Sequence, residues 1–108
     1  GEEILNMILE RNDRIDGVFC GAGDITAIGI MDAAKSRGIN IPGEIGIVGY
    51  DDIYISNLTT PSLTTVRQPI AQMGMRSFDL LMDMVEGKIG SESKIISFEP
   101  ELIIRESV

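Results

Sequence analysis

The sequence has 108 residues, 44% of them hydrophobic and 24% charged, which suits one small folded domain or part of a larger one. Its net charge of −8 argues against nucleic-acid binding by the chain itself, because phosphate contacts need lysine and arginine. Without histidine, His-based metal sites and Ser-His or Cys-His catalysis are excluded within the chain. We therefore predict no catalytic residue, no metal and no cofactor.

No apolar run approaches the ~20 residues that a membrane span needs, so no membrane association is expected. Cys20 is the only cysteine and cannot form an intrachain disulfide, which favours a reducing, cytoplasmic setting. We expect its thiol to be buried at the end of an apolar strand.

The first half of the sequence predicts a helix followed by a βαβ unit. Periodicity predicts a helix over 2–11, a polar turn over 11–14, a strand over 15–20, a helix over 25–37 and a strand over 45–50. Asp24 is predicted to cap the second helix and Gly38 to end it. A strand, a helix and a strand in this order predict a parallel strand pair.

The second half predicts fewer and shorter strands. After a loop over 51–62 we expect a strand over 63–66, a helix from Pro69 to Gly87, and short strands over 94–98 and 102–105. The predicted buried face of that helix consists of Ile70, Met73, Ser77, Leu80, Leu81 and Met84. The apolar faces of three helices need more sheet surface to pack against than these few short strands offer. The chain is therefore expected to belong to a larger α/β unit.

Two acidic motifs lie where strands end. The loop 21–24 could hold a phosphate on a helix N-terminus, but Asp24 would repel the anion, and we favour a plain turn. Asp51 and Asp52 follow the strand over 45–50, at the edge where open α/β sheets bind ligands. Adjacent residues on an extended chain point apart, which argues against an acid pair. One carboxylate could accept hydrogen bonds from a ligand, and one or both could cap the turn.

The polar residues after this edge have two interpretations. Loop and strand threonines at 59, 60, 64 and 65 could bind a ligand, but threonines in such places are more often structural. Arg67 and Gln68 could supply hydrogen-bond donors or form a solvated linker, and the sequence leaves both open.

The combination V-G-Y-D-D over 48–52, P-x-L-T-T-V-R-Q-P over 61–69, M-G at 73–74 and L-I-I-R-E-S over 102–107 resembles the LacI/GalR family of bacterial transcriptional regulators. This resemblance implies an α/β fragment of a two-lobed, periplasmic-binding-protein-like fold with parallel sheets flanked by helices. It also implies that 1–66 belong to the C-terminal effector lobe, that 67–97 supply a crossing, helix and strand of the N-terminal lobe, and that 98–108 return as a strand.

The resemblance also implies specific roles. Asp51, with Tyr50 and Gln68, would bind a small-molecule effector, a sugar or a purine-like compound. Ile28 and Leu58 would lie at a homodimer interface, and the alternative is that they are ordinary core or surface residues. Operator DNA would be bound only through an N-terminal domain outside this sequence, and the regulator would be cytoplasmic. Gly23 stands where the family often has asparagine, which weakens an effector contact there. The alternative is a periplasmic sugar-binding protein of a transport system, which shares the fold.

Overall fold

The structure is a computed structural model that describes residues 1–11, 14–90 and 92–108. Residues 12 and 13 of the turn predicted over 11–14 therefore lie outside the described residues. The chain forms two compact units, the first comprising 1–67 and 101–108 and the second comprising 68–100. No helix in the described ranges is long and apolar enough to cross a membrane.

In the part of the chain that the structure describes, the first unit is a four-stranded sheet with two helices. Its helices are α1 (Glu2–Leu9) and α2 (Asp24–Ser36), its strands are β1 (Gly17–Phe19), β2 (Gly46–Tyr50), β3 (Thr64–Arg67) and β4 (Glu101–Ile103), and a 3₁₀ turn spans Tyr54–Asn57. The strand order is β1-β2-β3-β4. The pairs β1–β2 and β2–β3 are parallel, which confirms the predicted βαβ unit, and β4 runs antiparallel to β3.

The core of this unit lies between α2, α1 and one face of the sheet. Among the described residues, the buried hydrophobic cluster consists of Leu5, Cys20, Ala27, Ile30, Met31, Ala34, Ile45, Ile47 and Leu63. The burial of Cys20 confirms the expectation for the thiol. Ile28 is only partly buried and packs against the edge of this cluster.

Helix α2 ends as its sequence predicts. Gly38 has φ +74°, its amide donates to the carbonyl of Lys35, and the amide of Ile39 donates to the carbonyl of Ala34. These two bonds form a Schellman motif, which satisfies carbonyls that the last helical turn would leave unpaired. Glycine suits this position because it accepts positive φ without steric cost.

The opposite face of the sheet is open. Val18 pairs with Ile47 on the core side, so Phe19 and its partner Val48 point to the other side. Phe19 is 62% exposed, and Val48 lines an open groove together with Val108. One face of the first unit is therefore apolar and uncovered.

The second unit consists of helix α3 (Ile70–Val85) and the segment that follows it. The helix ends before Gly87, at φ +71°, as the sequence predicts, and it begins one residue after the predicted start, because Pro69 is its N-cap. None of its residues is buried, so the predicted buried face is wrong for this chain taken alone. Residues 92–100 form no strand, because a lone extended segment needs a partner for its backbone groups, and Ile95 is 95% exposed.

Candidate functional site

The carboxyl ends of the parallel strands β1 and β2 form one edge of the sheet, and Asp51 is the first residue beyond β2 at that edge. Its amide donates to the carbonyl of Val66 at 2.8 Å, which ties it to β3. Asp51 has φ +105° and Asp52 has φ +51°, so the chain turns sharply as it leaves the sheet. This turn, Asp51–Ile53, presents a partly exposed carboxylate at the edge where α/β sheets bind ligands.

The Asp51 carboxylate lies beside the N-terminus of α2. A Cβ atom built on Gly23 would lie 3.1 Å from Asp51 Oδ2, so a larger residue at position 23 would crowd the carboxylate. Gly23 itself has φ +105°, which an L side chain rarely adopts. The positive end of the helix dipole favours a negative charge at this place. The site is therefore a carboxylate held against a helix N-terminus, able to accept hydrogen bonds from hydroxyl or N–H groups of a ligand.

Asp52 has a different environment. Its side chain is 7% exposed and accepts one hydrogen bond from Arg67 Nε and one from Arg105 Nη2, each at 2.6 Å. Burial by itself raises the pKa of Asp52, but the hydrogen bonds and charges of Arg105 and Arg67 outweigh burial and hold that pKa below its usual value. Asp52 is thus an ionised structural anchor, and its carboxylate binds two arginines instead of capping the turn.

Arg67 and Arg105 complete this anchor. Arg105 also donates to the carbonyl of Leu63 at 2.8 Å, and Arg67 lies 3.7 Å from a Glu101 carboxylate oxygen. The solvated-linker interpretation is therefore wrong for Arg67, which is the last residue of β3 and forms ion pairs with Asp52 and Glu101. The anchor joins β3, the turn after β2 and the segment after β4 within the first unit.

Asp24 has a role that sequence reasoning missed. It is the first residue of α2 and makes no capping bond to that helix, contrary to the prediction, because its carboxylate points into the interior. It is 1% exposed and accepts hydrogen bonds from Thr65 Oγ1 at 2.5 Å, Ser56 Oγ at 2.6 Å and the amide of Ile53 at 3.0 Å. These partners lie 29 to 41 residues away in the sequence, so local pattern could not reveal them.

The surroundings of Asp24 also explain the states of Cys20 and Thr65, and Thr64 has a separate hydrogen-bond partner. Burial, and then the charge of Asp24, raise the pKa of the Cys20 thiol, which stays protonated and unreactive at neutral pH. Thr65 is fully buried and bonded to Asp24, and Thr64 accepts a bond from the amide of Arg105 at 2.7 Å. Thr64 and Thr65 are therefore structural, as the sequence favours.

Two aromatic rings lie at the same edge as Asp51. Phe19 ends β1, Tyr50 ends β2, and their ring centroids are 6.3 Å apart in an edge-to-face arrangement. Phe19 remains largely exposed in this pair. An exposed ring beside a carboxylate can contact the flat face of a sugar or a base, so Phe19 joins the candidate site although the sequence pattern did not single it out.

Comparison with known proteins assigns this chain to a family. Residues 2–108 match the family described as periplasmic binding protein-like domain. The chain belongs to this family. The α/β fold implied by the sequence resemblance is thereby confirmed, since the match spans nearly the whole chain.

Curated relatives of this periplasmic binding protein-like chain are transcriptional repressors. It is 39% identical over 108 residues to the HTH-type transcriptional repressor PurR of Serratia proteamaculans, covering all of this chain and 31% of that protein. It is 40% identical to PurR of Erwinia tasmaniensis over the same length, again 31% of the relative. The chain thus spans about a third of the length of these relatives.

Solved structures agree with this assignment. A transcriptional regulator CelR–cellobiose complex matches with a TM-score of 0.87 and 28% identity, over 96% of this chain and 31% of that one. A sugar-binding transcriptional regulator of the LacI family from Escherichia coli, complexed with phosphate, matches with a TM-score of 0.84 and 33% identity, over 99% and 37%. The resemblance to LacI-type regulators is therefore confirmed at the level of both sequence and fold.

The remaining residues predicted for the site lie in separate places. Tyr50 is partly buried beside Asp51, and Gln68 is the first residue of the second unit. Ile28 lines a shallow groove on α2 with Thr59, and Leu58, just before Thr59, is 60% exposed.

Proposed function

We propose that this chain is the effector-binding and dimerisation portion of a bacterial LacI/GalR-type transcriptional regulator. The observation that carries the proposal is the 39–40% identity to PurR repressors over the full 108 residues. The mechanism is a ligand that closes a cleft and shifts the regulator between two conformational states. Such a regulator is cytoplasmic, is not an enzyme, and binds operator DNA through a domain outside this chain.

Asp51 is the proposed effector contact in the first unit. It combines partial exposure, a position at the carboxyl edge of the sheet and a place beside the α2 N-terminus. Tyr50 and the exposed ring of Phe19 are proposed to line the same site, and Gln68 to contribute from the crossing. A sugar or a purine-like base fits this chemistry, since both offer hydrogen-bond donors to a carboxylate and a flat face to a ring.

The lobe assignment is also a proposal. Residues 1–66 would form part of the C-terminal lobe, 67–97 would contribute a crossing and a helix to the N-terminal lobe, and 98–108 would return to the C-terminal lobe. The division of the chain into units at 67/68 and 100/101 supports this assignment. Ile28, partly buried in the groove on α2, and Leu58, 60% exposed, are proposed to pack against a second copy in a homodimer.

The test is a titration of the full-length protein with a panel of purine bases, ribose and cellobiose. We expect one member to bind, and Asp51→Asn to weaken its affinity roughly 10- to 100-fold, since hydrogen bonds to charged groups contribute about 1.5–3 kcal/mol. The matched control is Asp16→Asn, an exposed aspartate at the amino end of β1, which should bind as the wild type does. Unchanged affinity in Asp51→Asn would rule out this contact.

The alternative is a periplasmic sugar-binding protein, which shares the family but not the regulatory relatives. The two are separated by a gel shift of the full-length protein on DNA from its own promoter, with and without the bound ligand. A ligand-dependent shift supports the regulator. Tight sugar binding without any DNA binding, together with a secretion leader in the coding sequence, supports the transport protein.

A further inference from the structure

The turn that carries Asp51 is held by three consecutive backbone amides. The amide of Asp51 donates to the Val66 carbonyl at 2.8 Å, that of Asp52 to Thr65 Oγ1 at 3.3 Å, and that of Ile53 to Asp24 Oδ2 at 3.0 Å. Two of these three acceptors belong to one cluster, Asp24 and Thr65. The turn needs such support because non-glycine residues with positive φ are strained.

Thr65 relays the influence of Asp24 to the turn. Its hydroxyl has one proton, which is donated to Asp24 Oδ1 at 2.5 Å, so its lone pairs face the amide of Asp52. A carboxylate at position 24 therefore fixes the direction of the Thr65 hydroxyl as well as binding Ile53 itself. Ser56 supplies the third bond and anchors the 3₁₀ turn to the same carboxylate.

Gly49 provides the space for the buried Asp24 carboxylate. A Cβ built on Gly49 would overlap Asp24 Oδ1, so only glycine at this strand position admits the carboxylate. The three groups that bind Asp24 are neutral, and the N-terminus of α2 supplies the compensating positive potential. A buried carboxylate with such a complete set of donors fixes its neighbours in one geometry.

We propose that Asp24 is the positioning residue of the effector site. Through Thr65 and the amide of Ile53 it holds Asp51 and Asp52 at their positive φ, and so aims the Asp51 carboxylate before the ligand arrives. Preorganisation of this kind improves affinity because the turn does not have to be ordered on binding. The inference rests on the proposed function of Asp51 as the effector contact.

The test is a double-mutant cycle in the full-length protein, with Asp24→Asn, Asp51→Asn and the double variant titrated with the panel member that binds the wild type. We expect Asp24→Asn to weaken binding roughly 10-fold or more, because one oxygen can no longer accept. In the Asp51→Asn background, the same change should alter affinity by no more than about twofold. Equal losses in both backgrounds would show a general structural role and overturn the proposal.

A second pair of variants keeps the proposal testable if Asp24→Asn does not fold. Thr65→Val removes the relaying hydroxyl but keeps the branched shape, whereas Thr65→Ser keeps the hydroxyl. Thr65→Val should lose affinity as Asp24→Asn does, and Thr65→Ser should restore it to within about twofold of the wild type. Equal affinity in the two Thr65 variants would contradict the relay.

Hydrogen exchange gives a readout that needs no ligand. Asp24→Asn and Thr65→Val should accelerate amide exchange at residues 51–53 about tenfold or more, while the Asp16→Asn control should not. If Asp51→Asn leaves affinity unchanged, the proposed function fails while exchange still reports on positioning. If Asp51→Asn weakens binding but exchange and affinity are unchanged in Asp24→Asn, only the positioning role fails.

Discussion

At the scale of single residues, the backbone conformation of Asp51 determines which substitution can test its role. Its φ of +105° lies outside the range that most side chains accept, while asparagine and glycine tolerate positive φ better. An alanine at this position would add about 1–3 kcal/mol of strain to the loss of the carboxylate. Asparagine separates the two effects, because it keeps the shape and removes the charge.

Asp52 gives a prediction about pH. Because its folded pKa is lowered by Arg105 and Arg67 against the effect of burial, the stability it contributes is present above its unfolded pKa. That stability is lost as the pH falls through the folded value, which means below about pH 4. We expect Asp52→Asn to lower the free energy of unfolding at pH 7 by about 1.5–3 kcal/mol. As the pH is lowered further, the free energy of unfolding of this variant should fall less steeply than that of the wild type.

Urea unfolding of the 108-residue chain at a series of pH values measures this effect. Asp16→Asn is the matched control, since the ion pair of Asp16 with Arg14 is largely exposed and should contribute little. A parallel decline of the wild type and Asp52→Asn between about pH 5 and pH 2 would mean that Asp52 is not the group being titrated.

At the scale of elements, the C-terminal ends of α2 and α3 were the most predictable feature. Gly38 and Gly87 follow α2 and α3, and both have positive φ and Schellman hydrogen bonds. These motifs are local, so the sequence contains all the residues that form them. The strand expected over 94–98 failed for the opposite reason: a strand depends on a neighbouring strand, and residues 92–100 form none.

The second unit contains two glycines, in and just after α3, that should respond in opposite ways to alanine. Gly74 lies inside the helix, and a Cβ atom added to it would have nothing within 4 Å, so Gly74→Ala should stabilise the helix by roughly 0.5–1 kcal/mol. Gly87 is equally uncrowded but has φ +71°, so Gly87→Ala should destabilise it by about 1 kcal/mol. Circular dichroism melts of the 108-residue chain compare the two. Destabilisation by Gly74→Ala would contradict the backbone argument.

At the scale of the whole molecule, each unit exposes apolar surface. In the first unit the open face of the sheet carries Phe19, and Leu102 lies on β4; they are 62% and 55% exposed. In the second unit α3 exposes Met75, Phe78 and Leu81 among others. Exposed apolar surface of this extent favours association with other apolar surfaces.

We therefore expect the isolated 108-residue chain to self-associate. Sedimentation velocity should show a weight-average mass that rises with concentration above the monomer value of 11.7 kDa. Phe78→Gln with Leu81→Gln should reduce this association, because it removes apolar surface from α3 without touching the core of the first unit. Asp79→Asn, on the same helix, is the control. A monomer at every concentration would contradict the expectation.

The sequence by itself determined the elements whose causes are local. It determined the parallel βαβ unit, the start of α3 to within one residue, the glycine ends of two helices and the position of Asp51 at a strand end. Only the tertiary structure decided what the buried polar groups bind. Asp24 was expected to cap its own helix and instead reaches Thr65, 41 residues away, while Asp52 reaches Arg105, 53 residues away. The physical reason is that a buried carboxylate takes its partners from segments that only the tertiary fold brings together, and local periodicity does not specify such long-range contacts.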